Sequence, residues 1–294
     1  MYSKALEKAL SLHFKHVSPL KEERVQSLWS GYGAVLRYSP FEGNSNSSDI
    51  SCIAKVIDLN QQGHHPRGWD TDISHKRKLS SYINEQNFYR YFAPFTTKKC
   101  QTPKMYDAGE EKDCIWMLME DLNSLGFVKR SEHPTLSIVQ MGIAWLANFH
   151  ACFFDSAIVD QKNTSSKTKL WPIGTYWHLS TRAHEWEAMP DSALKHAANK
   201  IDERLNKANF QTLVHGDAKL ANFCIHQNET SLAAVDFQYV GFGAGIKDIV
   251  YFLGSCLDSD ELYQHADSLL IKYFNILKSA TAMSSLDYEL LEKE

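Results

Sequence analysis

His215-Gly-Asp-Ala-Lys-Leu-Ala-Asn222, followed by Val235-Asp-Phe-Gln238, decides how this chain is read. Asn222 lies five residues after Asp217, and Asp236 lies fourteen after Asn222. Phosphoryl transfer to a hydroxyl needs a carboxylate beside the attacking oxygen. It also needs oxygen ligands that hold Mg²⁺ against nucleotide phosphates. An Asp, an Asn five residues on and then an Asp-Phe pair supply these in order. Asp217 is therefore read as the catalytic carboxylate, and Asn222 and Asp236 as metal ligands. Lys219 is a cation within reach of the transferred group. Alone, Asp217 reads as well as a turn cap, and Asn222 as a helix cap. Their combination at this spacing favours the chemistry.

The flanks agree. Gln211–Val214, Phe223–Ile225 and Leu232–Val235 are short apolar runs of the buried-strand kind, and the polar turn His226–Ser231 separates the last two. The motif then sits on a loop between strands, with the last strand delivering Asp236.

Composition bounds the rest. The chain has 294 residues and is 44% hydrophobic, enough for one large or two moderate cores. A net charge of −4 argues against nucleic acid as a partner. No apolar stretch reads as a membrane span, and the first residues lack the apolar core of a signal peptide. Six cysteines (Cys52, Cys100, Cys114, Cys152, Cys224, Cys256) are scattered without a Cys-x-x-Cys motif. Buried free thiols in a reducing cytoplasm are expected, which leaves the Asn-x-Ser/Thr triplets at Asn46, Asn163 and Asn228 without meaning. Oligomeric state is not legible.

From the N-terminus, residues 3–13 have helical periodicity, with Leu6, Ala9 and Leu10 on one face. Residues 25–38 and 50–57 read as strands around a polar turn at 42–48, and Gly31 and Gly33 offer a glycine-rich stretch against phosphates. Lys55 stands in an apolar strand, on the face of Ile53 and Ile57. A lysine there snorkels at an edge or grips phosphates with a carboxylate to orient it. The helix at 78–92 carries Glu85 within a stripe of Tyr82, Phe88, Tyr89 and Phe92, so Lys55 is paired with Glu85. Asp113–Leu122 reads as a strand ending in acids. Thr135–Ala151 is an apolar helix, in which His150 reads as a core or capping histidine. Gly241–Gly245 reads as a flexible loop. Asp248 caps the next helix or braces the catalytic loop.

With Lys55, Glu85, Asp217, Asn222 and Asp236 in order, residues 25–260 resemble the small-molecule branch of the protein-kinase-like fold. That branch includes aminoglycoside phosphotransferases, choline kinases and the ecdysteroid-kinase-like family. Asp236-Phe-Gln, His65–Asp70, Arg77–Tyr82, Met119–Leu122 and Thr175–Arg182 look most like the last. The resemblance implies an α+β, two-lobed fold, with a β-rich nucleotide-binding lobe at 1–121 and a mainly helical catalytic and acceptor lobe at 122–294. It implies ATP and Mg²⁺ as cofactors. Lys55 would bind phosphates, held by Glu85, and backbone groups near Met119 and Glu120 would bind the base. Two departures stand out: the glycine-rich loop has Leu36 where a third glycine belongs, and twelve residues from Asp236 to Asp248 leave no room for a peptide-binding activation segment.

The expected activity is ATP-dependent phosphorylation of a small-molecule hydroxyl. A catalytically dead nucleotide-binding module and a kinase acting on protein are the alternatives. A metal hydrolase built on His64 and His65 fails, because adjacent histidines face apart on any regular element and no third ligand is suitably spaced. The aromatic, acidic segment Trp171–Trp186 reads as core or as an acceptor wall.

Overall fold

The structure is a computed structural model that describes residues 3–15, 18–28, 31–41, 51–60, 72–154, 169–281 and 285–293. The polar turn at 42–48, His64, His65, the 65–70 segment, Asn46 and Asn163 lie outside the described residues. The chain divides into two compact units. One comprises Met1–Pro94 with Thr102–Val128, the other Phe95–Gln101 with Lys129–Glu294.

The first unit is built on an antiparallel sheet. Its strands are β1 (Leu20–Ser27), β2 (Gly33–Pro40), β3 (Cys52–Asp58), β4 (Met105–Glu110) and β5 (Cys114–Glu120), in the order β1-β2-β3-β5-β4. Helix α1 (Lys4–His13) starts at Ser3, whose hydroxyl accepts the Leu6 N–H. Its buried residues Leu6, Ala9 and Leu10 join Ala34, Leu36 and Tyr38 of β2, Cys52, Ala54 and Val56 of β3, and Trp116 and Leu118 of β5 in one core. Alternation sends Ile53, Lys55 and Ile57 to the opposite face of β3. Helix α2 (Asp72–Tyr91) buries Tyr82, Glu85, Phe88 and Tyr89. The stretch expected as one strand over 25–38 is two, because the chain turns between Leu28 and Gly33. Gly31 and Gly33 stand in that turn at φ 77° and 154°. β1 is almost wholly exposed, so it has no apolar alternation to announce it.

The second unit is mostly helical. It contains α3 (Leu136–Phe153), α4 (Ala183–Ala188), α5 (Ala193–Asn206), α6 (Ile246–Cys256), α7 (Ser259–Ala280) and α8 (Ser285–Lys293). Two small sheets accompany them: β6 (Thr212–Val214) pairs with β9 (Gly241–Gly243), and β7 (Phe223–Ile225) with β8 (Leu232–Ala234). Contrary to the expectation that no span has the makeup to cross a bilayer, α3 is long and apolar enough by length and composition. Its side chains are core: Val139, Ile143, Trp145, Leu146, Phe149 and Phe153 are buried. Trp145 stacks on Phe149 with ring centroids 5.1 Å apart and meets Phe223 edge-on at 5.4 Å. The expected flexible loop after Asp236 is also corrected, since Gly241–Gly243 is a paired strand. Glycine is required there by crowding: a Cβ on Gly241 would lie 2.3 Å from the Trp171 carbonyl oxygen.

Candidate active site

The second unit carries the motif on a loop held largely by hydrogen bonds between side chains and its backbone. β6 leads in, and Gly216 turns the chain at φ 79°, where a Cβ would meet the Tyr239 carbonyl oxygen at 2.1 Å. The β7–β8 hairpin returns the chain, and the Val235 N–H donates to the Asn222 carbonyl at 3.0 Å. That bond sets Asp236 next to the residue paired with Asn222. Asp236 itself is in the left-handed region at φ 68°, uncommon for a residue with a side chain. The Gln238 amide donates to its Oδ1 at 2.7 Å.

Asp217 is 5% exposed. The Asn222 side-chain amide donates to the Asp217 carbonyl at 2.8 Å and to Oδ2 at 3.0 Å. Lys219 Nζ is 3.0 Å from the same Oδ2. Oδ1 is buried and receives no hydrogen bond from Asn222 or Lys219. A buried polar atom left short of partners costs stability and calls for a reason. Because Asn222 donates through its nitrogen, its oxygen is the atom directed elsewhere.

Asp248 fixes this loop. It accepts the His215 N–H at 2.6 Å and the Gly216 N–H at 2.9 Å, so it braces the motif loop from the first turn of α6. His215 in turn accepts the Asp217 N–H on Nδ1 at 3.3 Å and donates from Nε2 to the Val235 carbonyl at 3.1 Å. One imidazole thereby ties Asp217 to Val235, the residue before Asp236. His150, read as core or cap, is fully buried and bridges Asp248 and Tyr273, at 3.1 and 2.9 Å. Burial alone would raise the Asp248 carboxyl. The hydrogen bond from His150, the electrostatic influence of the His150 and His215 rings and the Gly216 N–H outweigh it, holding the carboxyl below its usual range. Burial first, then the charge of Asp248, pushes the Tyr273 phenol far up. Tyr273 escaped the sequence reading because its helix, α7, carries no motif.

In the first unit, Lys55 Nζ lies 2.6 Å from Glu85 Oε2, with the two side chains 6% and 1% exposed. The pairing read from the apolar stripe is present. Met119 is buried on β5, and the Glu120 N–H donates to the Lys104 carbonyl at 2.8 Å. Asp121, which follows β5, was not singled out. It binds Arg37 at 2.6 Å and Ser51 at 2.7 Å, and caps the turn at Asn123.

The Trp171–Trp186 segment splits. Trp171 and Trp186 donate to the carbonyls of Gln238 and Lys195, which makes them braces. Trp177 is 36% exposed and donates to Glu185 at 2.8 Å. Arg182 meets the other Glu185 oxygen at 3.0 Å and lies 5.0 Å from the centre of the Tyr176 ring. All six cysteines are free thiols; Cys100 and Cys152 approach to 3.7 Å.

Comparison with known proteins follows the geometry. Residues 174–286 match the ecdysteroid kinase-like family. That stretch holds Asp217, Lys219, Asn222, Asp236 and Asp248. An aminoglycoside-3′-phosphotransferase of type VIII is similar in structure, with 14% identity, 99% of each chain covered and a TM-score of 0.50. The aminoglycoside phosphotransferase APH(4)-Ia is similar at 13% identity, with 94% of this chain and 88% of that one covered and a TM-score of 0.51. No curated protein sequence matches. The fold is therefore the protein-kinase-like one, and over residues 174–286 the resemblance to the ecdysteroid kinase-like family is borne out.

Proposed function

We propose that this protein is a phosphotransferase that moves the terminal phosphoryl group of ATP onto a hydroxyl of a small molecule. The observation that carries the reading is the buried carboxylate of Asp217, held through Oδ2 by Asn222 and Lys219 with Oδ1 left clear of both. A carboxylate held in place in this way can orient a hydroxyl and accept its proton. Lys219 stands where charge on the moving phosphoryl group would be offset.

The donor set suits Mg²⁺, which takes oxygen ligands, keeps several waters and needs only one or two carboxylates beside the phosphates. Asn222 and Asp236 would hold it. When bound, the metal would neutralise phosphate charge. Lys55, oriented by Glu85, would bind nucleotide phosphates, with Met119 and Glu120 assigned to the base. Gly31 and Gly33 would let the β1–β2 turn approach the phosphates. Positioning then supplies most of the rate.

The acceptor is read as a neutral alcohol. Glu185, the acid nearest the exposed Trp177, is already engaged by Arg182 and Trp177, so it offers little to a cationic acceptor. The test is a metabolite-library screen for ATP consumption, with Asp217→Asn as the blank. Acceptor-dependent turnover lost in the blank is the expected result. Nucleotide binding without turnover on any acceptor would favour an inactive module, and labelling of protein alone would favour a protein kinase.

A further inference from the structure

The phosphotransferase reading leaves Tyr251 unused, although α6 places it at the centre of the site. Asp248 receives the His215 and Gly216 N–H groups, and Ser255 Oγ receives the Leu220 N–H at 2.9 Å. Tyr251 comes three residues after Asp248 and four before Ser255, so all three share one helix face. That face runs along the catalytic loop, and Tyr251 falls opposite its middle, at Asp217. Tyr251 is 43% exposed while Asp217 is 5% exposed, so the tyrosine stands on the solvent side of the carboxylate. Burial, the charge of the Asp217 carboxylate, a side-chain hydrogen bond to that carboxylate and Tyr176 push this phenol up to about 12. It is therefore a hydrogen-bond donor at neutral pH. Tyr176 closes in from another segment, its N–H bonded to the Gly216 carbonyl at 2.7 Å.

We propose that Tyr251 orients the acceptor oxygen, and that it makes the site select alcohols over amines. Asp217 Oδ1 accepts the hydrogen of the acceptor hydroxyl. The Tyr251 O–H donates to one lone pair of the same oxygen. The remaining lone pair points at the terminal phosphorus. As the new O–P bond forms, the bond from that phosphorus to the bridging oxygen of ATP breaks. The electron pair leaves with ADP, and the acceptor proton passes to Asp217. An alcohol oxygen has two lone pairs and a proton, so it meets all three demands. A neutral amine nitrogen has one lone pair. Once that pair accepts from Tyr251, none is left for attack.

The experiment uses benzyl alcohol and O-benzylhydroxylamine, an amine that is neutral near pH 7, as matched probes. ATP hydrolysis, with water as acceptor, is followed in parallel. Wild type, Tyr251→Phe and Asp217→Asn are compared. One hydrogen bond is worth roughly tenfold in rate, so the amine-to-alcohol transfer ratio should rise by about that factor in Tyr251→Phe. A change under about threefold, well below one hydrogen bond, overturns the proposal if wild type is active and both variants keep its thermal midpoint. The phosphotransferase reading survives that result. Transfer undiminished in Asp217→Asn, or wild type inert toward both probes and water, overturns the reading and the Tyr251 proposal together.

Discussion

Two lysine–carboxylate pairs in this molecule are built for opposite ends. Lys55 and Glu85 meet at 2.6 Å with side chains 6% and 1% exposed. Lys219 and Asp217 meet at 3.0 Å, but the lysine side chain is 42% exposed and the carboxylate 7%. In the first pair, two desolvated charges face each other, and neither tolerates loss of the other. In the second, the cation stays in contact with solvent and meets only Oδ2, leaving Asp217 Oδ1 clear of the pair. The closed pair holds a charge still. The open pair leaves capacity for something that arrives. A polar group that folding leaves unsatisfied is thus a better guide to chemistry here than one that folding satisfies.

The comparison breaks most visibly at Asp217. Asp217→Asn keeps the shape and removes the base. Turnover should fall by roughly a thousandfold, within the range for general-base loss. Stability should hold or rise, because a buried, half-satisfied carboxylate is a cost to folding. ATP consumption and the thermal midpoint, measured on one preparation, check both halves. Most of the turnover surviving would remove Asp217 from the chemistry.

At the closed pair the order reverses. Lys55→Met strands Glu85 in the core and should cost about 3 kcal/mol in urea unfolding, as for other broken buried pairs. Adding Glu85→Leu should restore much of that. The double-mutant cycle should show coupling above about 1 kcal/mol. Additive effects would mean that the 2.6 Å contact carries no energy.

The same contrast explains what the sequence made legible. Asp217, Asn222 and Asp236 were legible as a candidate site because phosphoryl transfer calls for fixed residue types at fixed spacing. Lys55 and Glu85 were readable because charges within apolar stripes need a reason to be there. Tyr273, Tyr251 and Asp121 were not. Each acts through a neighbour distant in sequence, and a tyrosine in a helix looks the same whether it packs or orients. Strand β1 was misplaced because nearly all of it is exposed, which erases the alternation that marks a strand. Gly241–Gly243 was read as flexible because glycine signals both freedom and tight packing, and only the Trp171 carbonyl beside Gly241 tells them apart.

Asp248 lies between the two extremes, being buried like Glu85 but serving the loop of Asp217. Asp248→Asn weakens two hydrogen bonds from backbone N–H groups to a charged acceptor, and should cost about 2 kcal/mol. The pH dependence has a definite sign. The carboxyl is held below its usual range in the folded state, so the unfolded chain takes up its proton first as pH falls. Its contribution is complete above the ordinary aspartate range and is lost as pH drops through the folded value. Asp248→Asn should therefore flatten the acid limb of stability below about pH 4 while lowering the plateau above it. An unchanged acid limb, measured by urea unfolding across that range, would assign acid sensitivity to other carboxylates.

Lys219 should show the smallest effect, and it sharpens the contrast most. If the open pair were an ordinary surface ion pair, Lys219→Met would change neither stability nor rate by much. Exposed pairs contribute roughly 0–1 kcal/mol, and solvent screens the Lys219 side. A stability change under about 0.5 kcal/mol is expected on that ground. Turnover, however, should fall roughly tenfold, because the lost cation faces charge that builds up only as the phosphoryl group moves. Lys219→Arg keeps the charge and should recover part of the rate, limited by the bulk of its planar head. A fall in stability with no fall in rate would invert the assignment. Lys219 would then be a brace like Lys55, and Asp217 would work without a cation of its own.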